Sequence, residues 1–250
     1  MSSHFETTYR VRAYEAGPQG HATAVTLANY LQSAASDHAQ TLGFALEDLA
    51  AQNLTWVLHR LRGTIHGTVG WGDDVQVTSW LAGIRKLYGL RDYRLLRPNG
   101  KVLVNATSDW LLIDIARRRP VRIPPDIEIL AETPKERSME GDGERLVAPT
   151  QIEHRARFSV RHTDLDLNGH VNNVVYLGWV MQTMAPELPK THRVAAFDLI
   201  FRAETLFGTD VVVESEQVEA EDDQQTFTHR VRHEGRDSPV VLAKTTWIPH

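Results

Sequence analysis

The sequence predicts an α+β chain made of two tandem repeats, each a long helix wrapped by an antiparallel β-sheet. Three observations predict it. The chain aligns with itself without a gap, pairing Val11 with Val160, Arg12 with Arg161, Gly20 with Gly169, His21 with His170 and Val25 with Val174, which is the mark of an internal repeat. Each copy has room for one helical pattern, followed by four strand-like runs joined by short turns, and short turns join antiparallel neighbours. A smaller shift pairs Ala106 with Ala243, Ser108 with Thr245 and Trp110 with Trp247, so the repeat persists to the ends of both halves. With 250 residues, 42% of them hydrophobic, each half is long enough to bury its own core.

In order along the chain, a short strand and a turn precede a first helix over 25–42, whose Leu27, Tyr30, Leu31 and Ala34 share one face and whose stop is Gly43. Strands follow over 54–66, 74–84, 87–96 and 101–115. Residues 132–144 are polar and charged without apolar period, as suits a surface-exposed linker. The organisation is therefore an N-terminal repeat over 1–130, a linker over 131–150 and a C-terminal repeat over 151–250. In the second repeat, residues 157–161 alternate with the period of a half-buried strand, and 164–169 are rich in turn formers. Val175, Leu177, Trp179, Val180 and Met184 then mark a helix starting near Asn172 and ending before Pro186. The final strands are expected over 194–202, 210–219, 225–234 and 238–248.

Composition excludes several classes of chemistry. A formal net charge of −5 with 24% charged residues provides no broad basic surface for nucleic acid. The absence of cysteine removes disulfides, thiolate metal sites and a cysteine nucleophile together. The first residues lack the basic, apolar and small-residue order of a signal peptide, and no apolar run reaches about 20 residues, so a cytoplasmic chain with no membrane span is expected. Asp164-x-Asp166-x-Asn168-Gly169 matches the start of a calcium loop, but its twelfth position, which must carry a carboxylate, is Val175. There is no Gly-x-Ser-x-Gly elbow and no helical histidine pair with an adjacent acid. No metal or cofactor is expected.

The most informative stretch is Asp164-Leu-Asp166-Leu-Asn168-Gly-His170-Val-Asn172-Asn173-Val-Val-Tyr176-Leu-Gly-Trp179. The first copy has Gly17, Gln19 and Thr23 where the second has Asp166, Asn168 and Asn172, so only the second keeps acid, amide and imidazole together. Asp164 reads as a turn former and His21 as a structural histidine. In an extended segment, alternate residues share a side, which would let Asp166, Asn168 and His170 converge on one pocket. Asn172 and Asn173 fall at the helix start, where backbone N–H groups could bind a developing oxyanion.

At these residues the chain resembles the acyl-acyl carrier protein thioesterases of plants and bacteria, enzymes of the double hot-dog fold. The resemblance extends through Trp56-Val57, Trp71-Gly72-Asp73, Val75-Gln76-Val77, Trp80, Arg91-Asp92, Ala106-Thr-Ser108, Trp110 and Ile123-Pro124. It implies hydrolysis of a fatty acyl thioester carried by acyl carrier protein, with catalytic Asp166, Asn168, His170 and Glu204. Plant members of the family have a cysteine directly after that glutamate, where this chain has Thr205, so a carboxylate or water mechanism is implied. Direct attack by Asp166 and activation of water by Glu204 with His170 both remain open. The resemblance assigns chain selection to the first repeat, where Val25, Tyr30 and Trp56, with Leu27, Leu31 and Leu58, are candidate lining residues as well as core. An acidic carrier protein calls for a basic surface, and the densest basic run is Arg117-Arg118-Arg119 with Arg122. An acyl-CoA thioesterase of the same fold and a noncatalytic acyl-binding protein are the alternatives, and monomer and homodimer are both open.

Overall fold

The computed structural model describes residues 4–131, 136–221 and 223–250. They form two compact units, Met1–Asp142 and Gly143–His250. The first contains β1 (His4–Arg10), α1 (Ala24–Leu42), α2 (Leu46–Ala50), β2 (Leu54–Ile65), β3 (Asp74–Arg85), β4 (Tyr88–Leu96), β5 (Val102–Asp114), β6 (Arg119–Val121) and α3 (Pro125–Ala131). The second contains β7 (His154–Ser159), α4 (Asn173–Thr183), α5 (Leu188–Thr191), β8 (His192–Phe201), β9 (Asp210–Glu221), β10 (Gln224–His233) and β11 (Pro239–Pro249). The short elements α2, β6, α3 and α5 carry too few residues to show a period, and the sequence reading does not include them.

Within each unit the strand order is the same. The first sheet runs β1-β3-β4-β5-β2 and the second β7-β9-β10-β11-β8, with antiparallel neighbours throughout. Helix α1 packs on β1 and β3, and α4 packs on β7, β9 and β10. Thr23 caps α1 by accepting the Thr26 N–H at 3.1 Å, and Gly43 ends it in the left-handed conformation, φ 75°, which costs a glycine nothing sterically. Leu27, Tyr30, Leu31 and Ala34 are buried as their spacing predicts. Helix α4 buries Val174, Tyr176, Leu177, Trp179 and Val180. The Trp179 ring stacks on Phe158 at 5.7 Å and meets the edge of Tyr176 at 5.2 Å. Each such aromatic side chain stabilises the unit by about 1.5–3 kcal/mol through the area it removes from water. No described helix is long and apolar enough to cross a membrane.

The expected linker is tied down. Its residues 132–135 lie outside the described residues. Beyond them, the Arg137 guanidinium grips the fully buried Asp92 carboxylate at 2.8 and 3.2 Å, and the Ser138 N–H donates to the same carboxylate at 2.7 Å. Arg62 and Arg60 donate to the carbonyls of Gly141 and Asp142 at 2.6 and 3.0 Å. On the second unit, Thr228 holds the Val147 carbonyl at 2.6 Å and Lys244 pairs with Glu144 at 3.0 Å. This polar stretch therefore satisfies buried sheet polar groups while its own residues 136–145 stay exposed or half-buried.

Two polar clusters lie inside the second sheet. Glu214 accepts from Arg230, Arg232 and Arg155. Burial alone would raise its pKa, but the Arg232 and Arg230 guanidiniums hold it at about 2. His229 bridges Ser215 and Thr245 at 2.7 and 2.8 Å, and the Trp247 indole N–H donates to Thr245 at 2.9 Å. The first unit repeats the end of that chain, with the Trp110 indole N–H donating to Ser108 at 2.7 Å.

Full burial, with a smaller contribution from His154, pushes the His229 pKa down to about 3. Unfolding releases the ring to its ordinary value near 6.5, so between these limits the unfolded chain binds the extra proton. His229 therefore contributes stability that is complete above about pH 6.5 and declines as pH falls toward 3. Melting temperature measured from pH 7.5 to 5 should fall with acidification, and less steeply in His229→Gln; equal slopes would show that another group controls it.

Candidate active site

The site is built on a turn. Strand β7 leads through a short 3₁₀ turn, His162–Asp164, to Leu165, which bridges Val171 in antiparallel fashion, and His170 in turn bridges Leu206. Between them the chain reverses: the Asp166 N–H donates to the His170 carbonyl at 2.8 Å and the Gly169 N–H to the Asp166 carbonyl at 3.0 Å. Gly169 takes φ 74°, the left-handed region that the reversal requires. The Val171 N–H donates to the Thr205 carbonyl at 2.9 Å, locking the turn to the loop after β8.

That loop carries Glu204. Its Oε2 lies 3.3 Å from His170 Nε2, and the two side chains keep 41% and 37% exposure, so both are accessible to a substrate while in contact. Glu204 and His170, 34 positions apart in sequence, are thus brought into contact.

Asp166 is placed differently from the expectation. The segment is a turn, not an extended strand, so alternate residues do not share a side. Asp166 Oδ1 accepts the backbone N–H groups of Asn168 and His170 at 2.8 and 3.3 Å, while the imidazole meets the Glu204 carboxylate. Asp166 thus bonds to the backbone of its own turn, at the His170 N–H among others. Asn168 is exposed at the tip beside Leu167, which is 94% exposed. Asp164 is buried and caps the Arg161 N–H at 2.8 Å while pairing with its guanidinium, as a turn former does.

The helix start also departs from expectation in part. The Asn172 N–H donates to the Asp164 carbonyl at 2.8 Å, and the Asn172 side chain caps the Val174 N–H at 2.9 Å. The Asn172 N–H and the Val174 N–H at the helix start are thus committed to the frame and not to an oxyanion. Val25 and Tyr30 on α1 and Trp56 on β2 stand in the first unit, where Tyr30 is buried, stacked on Tyr9 at 4.8 Å, with its hydroxyl donating to Glu15 at 2.9 Å. Val25 and Trp56 are half-buried.

The first unit has the same backbone frame without the chemistry. The Gly17 N–H donates to the His21 carbonyl at 2.8 Å, the Ala22 N–H to the Val69 carbonyl at 2.9 Å, and His21 bridges Gly70. Gly17 stands where Asp166 does, and Thr68, two residues before the bridged Gly70, stands where Glu204 does. Two further residues neighbour the site: Thr205, noted in the sequence only as standing in place of a cysteine, and His233, which sequence reading did not single out. Thr205 is 1% exposed and lies 3.0 Å from His233 Nε2, and His233 sits outside the motif with no pattern to mark it.

Both repeats match a family of known proteins. Residues 2–130 match the acyl-ACP thioesterase N-terminal domain and residues 147–249 the acyl-ACP thioesterase C-terminal domain. The chain is 32% identical over 217 residues to oleoyl-acyl carrier protein thioesterase 1, chloroplastic, of Arabidopsis thaliana, covering 80% of this chain and 60% of that protein. It is 28% identical to the oleoyl-acyl carrier protein thioesterase, chloroplastic, of Coriandrum sativum, covering 97% of this chain and 76% of that one. The chain thus spans about 60% of the length of the Arabidopsis relative. Among solved structures, the 12:0-ACP thioesterase from Umbellularia californica superposes with a TM-score of 0.89 at 25% identity, over 100% of this chain and 95% of that one. A putative oleoyl thioesterase from Lactobacillus plantarum shares the fold with a TM-score of 0.90 at 21% identity, over 99% and 96%.

The Asn172 cap is a local test of the frame. Asn172→Ala should lower unfolding free energy by about 1 kcal/mol in denaturant titration, and Asn172→Asp should recover most of it. An unchanged midpoint for Asn172→Ala would show that the bond to Val174 adds no stability.

Proposed function

The chain belongs to the acyl-acyl carrier protein thioesterase family, and on that premise we propose that it hydrolyses the thioester of a fatty acyl chain carried on acyl carrier protein, releasing the free acid. The observation that carries the reading is the contact between Glu204 and His170 at 3.3 Å, in the one repeat that retains the acidic residues.

In the proposed mechanism Glu204 takes a proton from water as the water oxygen attacks the thioester carbonyl carbon. The C–S bond breaks, and His170, in contact with Glu204, returns the proton to the leaving sulfur. One water and one thioester give one carboxylic acid and one thiol. Asn168, exposed at the tip of the turn, offers its side-chain amide to the water or the thioester oxygen, and the Asn173 N–H supports the charge that develops on that oxygen. Asp166 holds the turn that presents His170. Two backbone N–H groups occupy one of its carboxylate oxygens, which favours the water route over attack by Asp166 itself. Thr205, buried beside Glu204, is inaccessible as a nucleophile. The first unit, without an acid at Gly17 or Thr68, supplies the surface for the acyl chain, with Val25, Tyr30 and Trp56 as its lining, and the exposed arginines Arg117, Arg118, Arg119 and Arg122 offer an acidic carrier protein a place to dock.

Free-thiol release from matched acyl-carrier-protein and acyl-CoA substrates tests this reading. Hydrolysis should favour the carrier protein, and His170→Ala and Glu204→Gln should each lower kcat by about 10²–10⁴-fold with little change in melting temperature. Near-wild-type turnover in either variant would remove that residue from the mechanism. Turnover of CoA esters alone would make the protein an acyl-CoA thioesterase, and acyl binding without turnover a noncatalytic binder. Trp56→Ala should shift the chain-length profile; an unchanged profile would return Trp56 to the core.

A further inference from the structure

We propose that His233 is a positioning residue that, through the Thr205 hydroxyl, holds the Glu204 loop against the His170 turn. The inference rests on the function proposed above. Between Phe201 and Val211 the chain is exposed or half-exposed at every position but one, Thr205, which is 1% exposed. Glu204, a flexible side chain on an exposed loop, is next to this single buried anchor.

Backbone bonds fix the loop at its start and middle, and at its end the Val160 N–H donates to the Thr209 carbonyl at 3.0 Å and the Gly208 N–H to the Val160 carbonyl at 3.4 Å. The Arg202 N–H donates to the Val240 carbonyl at 2.8 Å and the Val171 N–H to the Thr205 carbonyl at 2.9 Å. Side-chain anchors are the Phe207 ring, stacked on His162 at 3.8 Å, and, next to Glu204, Thr205 Oγ1, 3.0 Å from Nε2 of His233, the last residue of β10. Burial and the nearby Arg236 charge lower the His233 pKa, which keeps the ring neutral and able to accept. The Thr205 O–H then donates to His233 Nε2. One hydroxyl thereby joins the end of β10 to the loop that carries Glu204.

The first unit provides an internal comparison. The residue whose carbonyl accepts the corresponding backbone bond there is Val69, buried at 3% exposure and without a hydroxyl, and the residue before it is Thr68. The polar anchor is present in the repeat that has a carboxylate to position and absent from the one that does not. Orientation of this kind acts on the chemical step more than on binding, because a small displacement of a general base lowers turnover steeply.

The test measures steady-state thioester hydrolysis and melting temperature for His233→Ala, His233→Gln, Thr205→Val, Thr205→Ser and the double variant His233→Ala with Thr205→Val. His233→Ala and Thr205→Val should each lower kcat about tenfold with KM within about twofold, and the double variant should be no worse than either single one. Gln, whose amide reaches the Nε2 position, and Ser, which keeps the hydroxyl, should restore kcat to within about threefold. Unchanged kcat in His233→Ala, equal impairment of His233→Gln and His233→Ala, or multiplying effects in the double variant would each overturn the proposal. Should His233→Ala fail to fold, Thr205→Val against Thr205→Ser makes the same test. Wild-type and Glu204→Gln enzymes run alongside separate the two levels. An inactive wild type or an active Glu204→Gln overturns the proposed function, whereas normal controls with an unaffected His233→Ala overturn only the positioning role.

Discussion

The site depends on two short backbone bridges, Leu165 to Val171 and His170 to Leu206. The His170 and Glu204 side chains are carried by a turn and a loop, which by themselves would leave an imidazole and a carboxylate free to wander. Pairing the turn with the loop gives both the rigidity of a sheet edge without making either part of a long strand. The first unit shows the same device, with His21 bridged to Gly70, but its Gly17 and Thr68 cannot supply a carboxylate. The frame is thus structural in both units, and the chemistry is a matter of which side chains occupy it.

A second constraint operates inside the sheets. Long strands with helices on one face leave positions where a polar side chain is buried, and each of those must be satisfied locally. Asp92 is satisfied by Arg137 and Ser138, Glu214 by three arginines, and His229 by Ser215 and Thr245. The strap beyond residue 135 follows from this need, since Asp92 has no exposure of its own and its charge would be costly without Arg137. The same logic reaches the site, where the buried Thr205 hydroxyl finds its partner in His233 at the end of β10.

Much of the fold is legible in the sequence because its signals are local. Gly43 stops α1 in the left-handed conformation, the apolar spacing of α1 and α4 marks their buried faces, and the four long strands of each unit begin and end within a few residues of their alternating runs. Where reading by period fails, the reason is also local. The tract from Asp166 to His170 has the alternation of a strand but the composition of a turn, and the bond from the Asp166 N–H to the His170 carbonyl decides for the turn. That reversal sends Asn168 to the exposed tip and directs Asp166 toward backbone donors.

From sequence alone came the duplication, the α+β order of elements and the identity of the repeat that retains acid, amide and imidazole, because repeats, caps and periods are written over short spans. Only the tertiary structure decided that the imidazole of His170 meets Glu204, that Asp166 accepts backbone N–H groups of its own turn, and that Thr205 lies within hydrogen-bond distance of His233. Those contacts join residues that are neighbours only through strand register and loop path, and no local pattern in the chain encodes which loop will lie beside which turn.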